Sequence, residues 1–198
     1  GYAAIFVGVG NQVPRIIPLQ GRDLADVTDC MQFLRETKCE HLEMPDLAGR
    51  HVVVLGGGNV ALDVARSAVR LGTASTTILC LEDRERMPAH GWEVQEAEEE
   101  GVGLIPSASA KTLLTDESGQ PLLEYLAVGS IEFTPQGRLV GFKVAEGTEQ
   151  RIPADVVILA VGLAPSTAAF AEELELTPQR TIRIDPDTLQ TSDPMVFA

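Results

Sequence analysis

One stretch decides the fold: His51-Val52-Val53-Val54-Leu55-Gly56-Gly57-Gly58-Asn59-Val60-Ala61. Four apolar residues lead into three glycines and then into a helical pattern, which predicts a strand, a tight turn and the start of a helix. The spacing Gly56-x-Gly58-x-x-Ala61 is a dinucleotide-binding fingerprint. Gly56 permits the turn, Gly58 lets the backbone approach a diphosphate, and Ala61 lets the helix pack closely on the strand. The N–H groups at the helix start would then point at the phosphates.

The residues after the glycines support this interpretation. Apolar residues recur at helical spacing and end at Gly72, a typical helix C-terminus; they are Ala61, Val64, Ala65, Ala68 and Leu71. A second strand at residues 76–81 ends at Glu82, where an acidic residue usually binds the ribose hydroxyls of NAD. The alternative is a glycine-rich turn that binds nothing. The ordered succession of strand, turn, helix, strand and acid favours binding.

Composition limits the classes of function. The chain has 198 residues and a formal net charge of −14, which argues against a nucleic-acid partner and against anionic lipid. No apolar run is long enough to span a bilayer. The three cysteines, Cys30, Cys39 and Cys80, form no C-x-x-C pair, so the sequence predicts neither a redox dithiol nor a metal site. We therefore expect a cytoplasmic protein.

The rest of the chain completes the fold prediction. We expect a buried strand at residues 3–7 and a helix at residues 92–100. Short strands with turn signals between residues 108 and 147 predict an antiparallel meander. Residues 156–161 are apolar without interruption, which is typical of a central parallel strand. The predicted class is α/β: a Rossmann-like parallel sheet with helices on both faces and an antiparallel β-meander insertion.

Several segments together resemble a known family. They are residues 56–66, Arg70-Leu71-Gly72, Arg84-Glu85-Arg86-Met87-Pro88-Ala89 with Glu93, and Glu100-Gly101-Val102. This pattern is very similar to one branch of the pyridine-nucleotide-dependent flavin oxidoreductases, the branch that includes the glutamate synthase small subunit. The resemblance covers about residues 1–165. Ala160-Val161-Gly162 with Pro165, and Gly8-Val9-Gly10, resemble the family's motifs at the junctions of its two domains.

The resemblance implies a division of labour between two domains. Family members hold FAD in one domain and NAD(P)H in another, and pass a hydride from the nicotinamide to the flavin. Electrons then go to iron–sulfur clusters or to a partner subunit. On this basis residues 1–44 are a connection from the neighbouring FAD domain, residues 45–165 the NAD(P)-binding domain, and residues 166–198 a segment returning to the FAD domain.

The resemblance also bears on activity and on cofactors. The family's flavin fingerprint is not found in this chain. No side chain accepts a hydride without a cofactor. We therefore expect the isolated chain to bind a dinucleotide, not to bind FAD, and not to turn over substrate. No catalytic residue is assigned. Leu81-Glu82 stands where members that use NADPH carry two arginines, so NAD is favoured over NADP; Arg84 and Arg86 leave NADP open.

The expected dinucleotide-binding residues are Gly56, Gly57, Gly58, Asn59, Val60, Ala61, Glu82, Asp83, Arg84, Val161 and Gly162. Asn59 has two candidate roles, one in holding the diphosphate and one in capping the helix. Glu93 has two as well, at the nicotinamide pocket or on a solvated helix face. Two other functions stay open: a redox sensor or partner-binding module that binds NAD without reducing anything, and a disulfide reductase, which the lack of C-x-x-C disfavours.

Overall fold

The computed structural model describes residues 2–39, 46–135 and 139–198. The α-helices within these residues are α1 (Cys30–Lys38), α2 (Asn59–Arg70) and α3 (Gly91–Glu99), and three short 3-10 helices cover Arg22–Leu24, Arg84–Arg86 and Ala168–Phe170. The strands are β1 (Ile5–Phe6), β2 (Asn11–Pro14), β3 (Asp26–Asp29), β4 (His51–Leu55), β5 (Ser75–Leu79), β6 (Gly103–Ile105), β7 (Ala108–Thr115), β8 (Pro121–Phe133), β9 (Leu139–Val144), β10 (Gln150–Pro153), β11 (Val156–Leu159), β12 (Leu163–Pro165) and β13 (Val196–Phe197). The chain divides into two compact units, Ile16–Gly162 and the combination of Gly1–Arg15 with Leu163–Ala198.

The larger unit is built on a five-stranded parallel sheet of order β3-β11-β4-β5-β6. The fingerprint strand β4 lies in the middle, with Val54 opposite Ile158 of β11 and Ile78 of β5. All four residues of β11 are buried, which confirms the expected central strand. Because every strand is parallel, the carboxyl ends of the strands all meet at one edge of the sheet.

An antiparallel meander covers one face of this sheet. In it, β8 pairs with β7, β9 and β10, which confirms the predicted insertion. The two sheets share a core of buried apolar residues: Leu19, Val53, Leu55, Leu79, Ala108, Leu113, Leu123, Tyr125, Ala154, Val157 and Leu159. Since side chains alternate along a strand, the remaining buried residues of the parallel sheet face the opposite side; they include Val52, Val54, Ile78, Val156 and Ile158.

The helices cover that opposite side. In the described part of the chain α2 contacts α1, α3, β4 and β5, and no helix residue belongs to the core shared with the meander. The α/β class, the parallel sheet and the antiparallel insertion are as the sequence predicts. One detail of the layers differs from the prediction: the sequence predicts helices on both faces of the sheet, whereas the meander covers one of them. The apolar face of the meander packs on the sheet where a second helical layer would otherwise be needed.

The helices begin and end at residues that are typical of helix termini. Helix α1 is capped by the Asp29 side chain, which accepts hydrogen bonds from the N–H groups of Met31 and Gln32, both 2.9 Å long. Beyond α2 the chain turns at Gly72 in a left-handed conformation, with φ +79°. No helix among the described residues is both long and apolar enough to cross a membrane.

The smaller unit contains two short strand pairs. Strand β1 pairs in parallel with β13, and β2 pairs antiparallel with β12. The sequence predicts a buried strand at residues 3–7, but β1 covers Ile5–Phe6 alone and its side chains are 57% and 69% exposed. Two parallel-paired residues offer too little sheet to bury an apolar face.

The larger unit begins earlier than the predicted boundary between residues 44 and 45. It starts at Ile16, because β3 pairs with β11 along its whole length and α1 packs against β3 and α2. Part of the predicted connection therefore belongs to the larger unit, with β3 as an edge strand of its parallel sheet. Residues 40–45, which contain the expected boundary itself, lie outside the described residues.

Candidate dinucleotide-binding site

The turn after β4 is wedged between the ends of two neighbouring strands. The Gly56 N–H donates a 2.9 Å hydrogen bond to the Leu79 carbonyl at the end of β5. Gly56 has φ +133°, and a Cβ placed there would lie 2.3 Å from the Ala160 carbonyl oxygen beyond β11. Only glycine satisfies both constraints, because the conformation is strained for other residues and the space is already filled.

The atoms that surround Gly57 and Gly58 differ from those around Gly56 and from each other. A Cβ at Gly57 would lie 3.0 Å from the Cβ of Cys80 and 3.3 Å from the Glu82 Oε2, so the turn approaches these two side chains closely. Gly58 has the extended angles φ −93° and ψ 172°, and a Cβ there would meet no atom within 4 Å. The fold itself therefore does not require glycine at position 58. The open space next to it is where a ligand could approach the backbone.

Gly58 is the N-cap of α2, and no side chain of residues 2–39, 46–135 or 139–198 makes a capping hydrogen bond at this end of the helix. Asn59 and Val60 form its first turn, and Ala61 is fully buried, so the helix packs closely on the sheet. The first N–H groups of a helix have no partner within the helix, and the helix dipole gives this end a partial positive charge. The arrangement is chemically suited to bind an anion such as a diphosphate.

The predicted acid and its neighbours lie just beyond β5. Glu82 is held by its backbone, since its carbonyl accepts a 2.8 Å hydrogen bond from the Ser107 N–H, and its carboxylate lies next to Gly57. Asp83 accepts hydrogen bonds from the backbone N–H and the Nε of Arg86, 2.9 and 2.7 Å long. Hydrogen bonding to the Arg86 side chain lowers the pKa of Asp83, so this carboxylate stays charged.

Arg84 and Arg86 are the candidate partners for the 2′-phosphate of NADP, and both already have acidic partners. Arg84 forms a two-pronged ion pair with Glu98 of α3, in which Nη2 lies 2.6 Å from Oε2. Arg86 pairs with Asp83, and its guanidinium carbon lies 5.9 Å from the centre of the Phe133 ring. A 2′-phosphate would have to compete with these carboxylates for either guanidinium.

The Asn59 side chain makes a contact that the sequence does not reveal. Its Oδ1 accepts a 3.1 Å hydrogen bond from the His90 N–H, in the segment before α3. The Ala89 N–H donates a 3.1 Å hydrogen bond to the Gly57 carbonyl nearby. Because Gly58 occupies the N-cap position, Asn59 does not cap α2; it links the glycine turn to the segment that precedes α3.

The remaining predicted residues, Val161 and Gly162, follow β11 at the same edge of the sheet. The backbone nitrogen of Val161 would lie 3.5 Å from a Cβ at Gly56, and Gly162 has φ +102°. The structure thus brings the ends of β4, β5 and β11 together around the glycine turn. Glu93 lies in the first turn of α3, where its Oε2 is buried without a hydrogen-bond partner.

The cysteines make no disulfide, and one of them adjoins the turn. Burial raises the pKa of the Cys80 thiol to about 12, with smaller contributions from Glu82 and Asp83. Burial also raises the pKa of Cys30, whereas Cys39 is exposed. The described residues contain no group of three or more His, Cys, Asp or Glu side chains able to hold a metal ion.

These thiols should differ sharply in reactivity. Only the thiolate reacts quickly, and it must be accessible. We expect Ellman's reagent at pH 8 to label Cys39 rapidly in the native protein and all three thiols in denaturant. Fast native labelling of Cys80, identified by mass spectrometry of the modified peptide, would contradict the burial of this thiol beside the turn.

Known proteins are similar to this chain in sequence. A family model described as pyridine nucleotide-disulphide oxidoreductase matches residues 1–198. The chain is 33% identical to the NADP(+)-dependent formate dehydrogenase subunit beta of Moorella thermoacetica, over 100% of this chain and 28% of that protein. It is 34% identical to the glutamate synthase [NADPH] small chain of Azospirillum brasilense, over 100% of this chain and 43% of that protein.

A solved structure shows the same fold. Thioredoxin reductase from T. acidophilum superposes with a TM-score of 0.68 at 20% identity, over 98% of this chain and 56% of that one. The chain thus spans less than half the length of the two curated relatives described above. The family match over the whole chain agrees with the glycine turn, the parallel sheet and the meander. The chain belongs to the pyridine nucleotide-disulphide oxidoreductase family.

Proposed function

We propose that this chain supplies the NAD(P)H-binding domain of a flavin-dependent oxidoreductase. The whole protein would pass a hydride from NAD(P)H to FAD, and electrons onward to an iron–sulfur or partner-subunit acceptor. The single observation that carries the proposal is the open space at Gly58, at the start of α2. The neighbouring residue Gly57 lies next to the Glu82 carboxylate. This is the place where ligands bind in open α/β sheets, beyond the carboxyl ends of the strands.

We assign the site residues on this basis. The diphosphate would lie on the turn and on the N–H groups of Gly57, Gly58, Asn59 and Val60. Gly56 and Ala61, whose own N–H groups bond to the Leu79 and Gly58 carbonyls, would shape the turn and pack the helix. Glu82 would accept hydrogen bonds from the adenosine ribose, with Asp83 and Arg84 beside it. Val161 and Gly162 would border the nicotinamide half, since they lie across the turn from Glu82 at the end of β11.

We further propose that the segments on either side of the larger unit, residues 1–15 and 163–198, belong to the FAD domain of the same polypeptide. The NAD(P)H-binding domain then corresponds to the compact unit from Ile16 to Gly162, which is wider at its start than residues 45–165. Relatives named as a formate dehydrogenase subunit and a glutamate synthase small chain support a partner subunit as the electron acceptor. An iron–sulfur domain as the acceptor rests on the family resemblance of the sequence. Three cysteines without a disulfide support a reducing, cytoplasmic setting.

We propose NAD as the preferred nucleotide. The Glu82 carboxylate would repel a 2′-phosphate and would accept hydrogen bonds from a free 2′-hydroxyl. Arg84 and Arg86 are paired with Glu98 and Asp83. The relatives whose names specify NADPH or NADP(+) make this preference a property to be measured on the chain itself.

Gly58→Ala tests the site directly. We expect this substitution to weaken NADH binding at least tenfold, which is about 1.4 kcal/mol, because its methyl group fills the space that the diphosphate would occupy. The thermal midpoint should change by only a few degrees, since an added Cβ meets no atom within 4 Å and the lower preference for alanine at a helix N-cap costs about 1 kcal/mol at most. Isothermal titration calorimetry with NADH, and thermal unfolding followed by circular dichroism, measure the two quantities.

Gly141→Ala in β9 is the matched control for this experiment. An added Cβ at Gly141 also meets no atom within 4 Å, and this residue lies in the meander rather than at the turn. The control should bind NADH as the wild type does. Equal NADH affinity of Gly58→Ala and wild type would refute the assignment of the diphosphate to this turn.

The proposed redox role is tested on a longer polypeptide that includes the FAD domain. We expect a version extended to include the FAD domain to be yellow from bound FAD, and its colour to bleach on addition of NADH under anaerobic conditions. A redox sensor or partner-binding module would bind the nucleotide and stay colourless. That outcome would replace the oxidoreductase proposal while leaving the dinucleotide site intact.

A further inference from the structure

The glycine turn and the segment before α3 are joined by two hydrogen bonds. One is between backbones, from the Ala89 N–H to the Gly57 carbonyl, and is 3.1 Å long. The other, from the His90 N–H to Asn59 Oδ1, is also 3.1 Å long and depends on a single side chain. These contacts bring the N-terminal ends of α2 and α3 together.

The two helices also meet at their other ends. Arg66 in α2 donates from Nε to Glu100 Oε1 over 2.9 Å, and Arg70 donates to the same carboxylate. The helices therefore lie side by side and run in the same direction. The Asn59 side chain thus connects the two helices at the end where the proposed dinucleotide site lies, and Arg66 and Arg70 connect them at the other end.

The segment at residues 83–90 borders the adenosine side of that proposed site. It begins next to Glu82, and Arg84 within it pairs with Glu98 of α3. Met87 and Ala89 are each only 8% exposed, so the segment is packed against the unit as well as hydrogen-bonded. Its last residue, His90, is the N-cap of α3 and has no side-chain capping bond of its own.

We propose that Asn59 is a positioning residue: its carboxamide oxygen holds the His90 N–H and thereby fixes segment 83–90 along the adenosine side of the nucleotide site. The ligand named here rests on the proposed function, whereas the link between Asn59 and His90 does not. Loss of the acceptor leaves the His90 N–H without its partner and frees one end of the segment. The nucleotide must then order this segment on binding, which lowers its affinity.

Hydrogen–deuterium exchange of the chain without nucleotide tests the link. In Asn59→Ala we expect amides of residues 86–92 to exchange about fivefold faster or more, the effect of losing one hydrogen bond. Asn59→Asp keeps an acceptor at the same place and should restore the slow exchange of the wild type. Gln95→Ala is the control on α3, because the hydrogen bond of the Gln95 side chain within the described residues runs forward to Glu99 Oε1 over 2.9 Å, away from the segment. Exchange at residues 86–92 in this variant should match that of the wild type.

The affinity for NADH is measured on wild type, Asn59→Ala and Gln95→Ala. We expect about a fivefold loss in Asn59→Ala and none in the control. Unchanged exchange in Asn59→Ala would overturn the proposal, and a loss of affinity alongside it would assign Asn59 to a direct phosphate contact. If the wild type binds no NADH, the proposed function fails, while the exchange rates still decide whether Asn59 holds the segment.

Discussion

Gly56→Ala is expected to destabilise the protein by about 3 kcal/mol. Two independent causes act at this position. The backbone has φ +133°, which strains any residue with a Cβ, and that Cβ would lie 2.3 Å from the Ala160 carbonyl oxygen. Relief would require separating β4 from β11, and the Ala160 N–H would then lose its 2.8 Å hydrogen bond to the Leu55 carbonyl. Urea unfolding followed by far-ultraviolet circular dichroism measures the free energy of unfolding.

Gly58→Ala is the matched control, because it adds the same methyl group two residues along the same turn. A loss of at most about 1 kcal/mol is expected there, since the conformation is extended and the space is open, and only the lower preference for alanine at a helix N-cap acts against it. The pair separates two reasons for glycine within one motif. If Gly56→Ala unfolds at the wild-type urea concentration, the backbone geometry described for the turn is wrong.

The fingerprint was readable in the sequence. Strand, turn and helix start follow one another directly in the chain, so the spacing of Gly56, Gly58 and Ala61 reveals the unit. Helix α2 and its end at Gly72 were predictable for the same reason. The contacts that require glycine at position 56, with Leu79 and Ala160, are distant in sequence and are visible only in the structure.

The layer on each face of the sheet was not predictable in this way. Residues Val52 to Leu55 are all apolar, so both faces of β4 are equally suited to burial and the sequence does not say what covers either one. Strand β3 was hidden for the opposite reason. Its four residues, Asp26–Asp29, are mostly polar, as suits an edge strand. The contact between Asn59 and His90 joins positions 31 residues apart and ends on a backbone N–H, which any residue but proline provides.

Glu82→Arg is expected to change the nucleotide preference by about a hundredfold in the ratio of NADH to NADPH affinity, which is about 2.7 kcal/mol. The carboxylate next to Gly57 would be lost as an acceptor for the ribose hydroxyls, and a guanidinium suited to bind a phosphate would replace it. Both changes act in the same direction. Glu82→Gln separates them, because it removes the charge without adding a cation and should abolish most of the discrimination without reversing it.

Glu85→Arg is the matched control for this change of preference. It makes the same change in net charge three residues further on, in the exposed turn Arg84–Arg86. If long-range charge alone sets the preference, the two variants should shift the NADH to NADPH ratio equally; if Glu82 contacts the ribose, only Glu82→Arg should reverse it. Calorimetric titration of each variant with both nucleotides measures the ratio. A wild-type protein that binds NADPH tenfold tighter than NADH would show that the carboxylate does not exclude the 2′-phosphate, and the guanidinium of Arg84 or Arg86 would then have to leave its acidic partner to bind it.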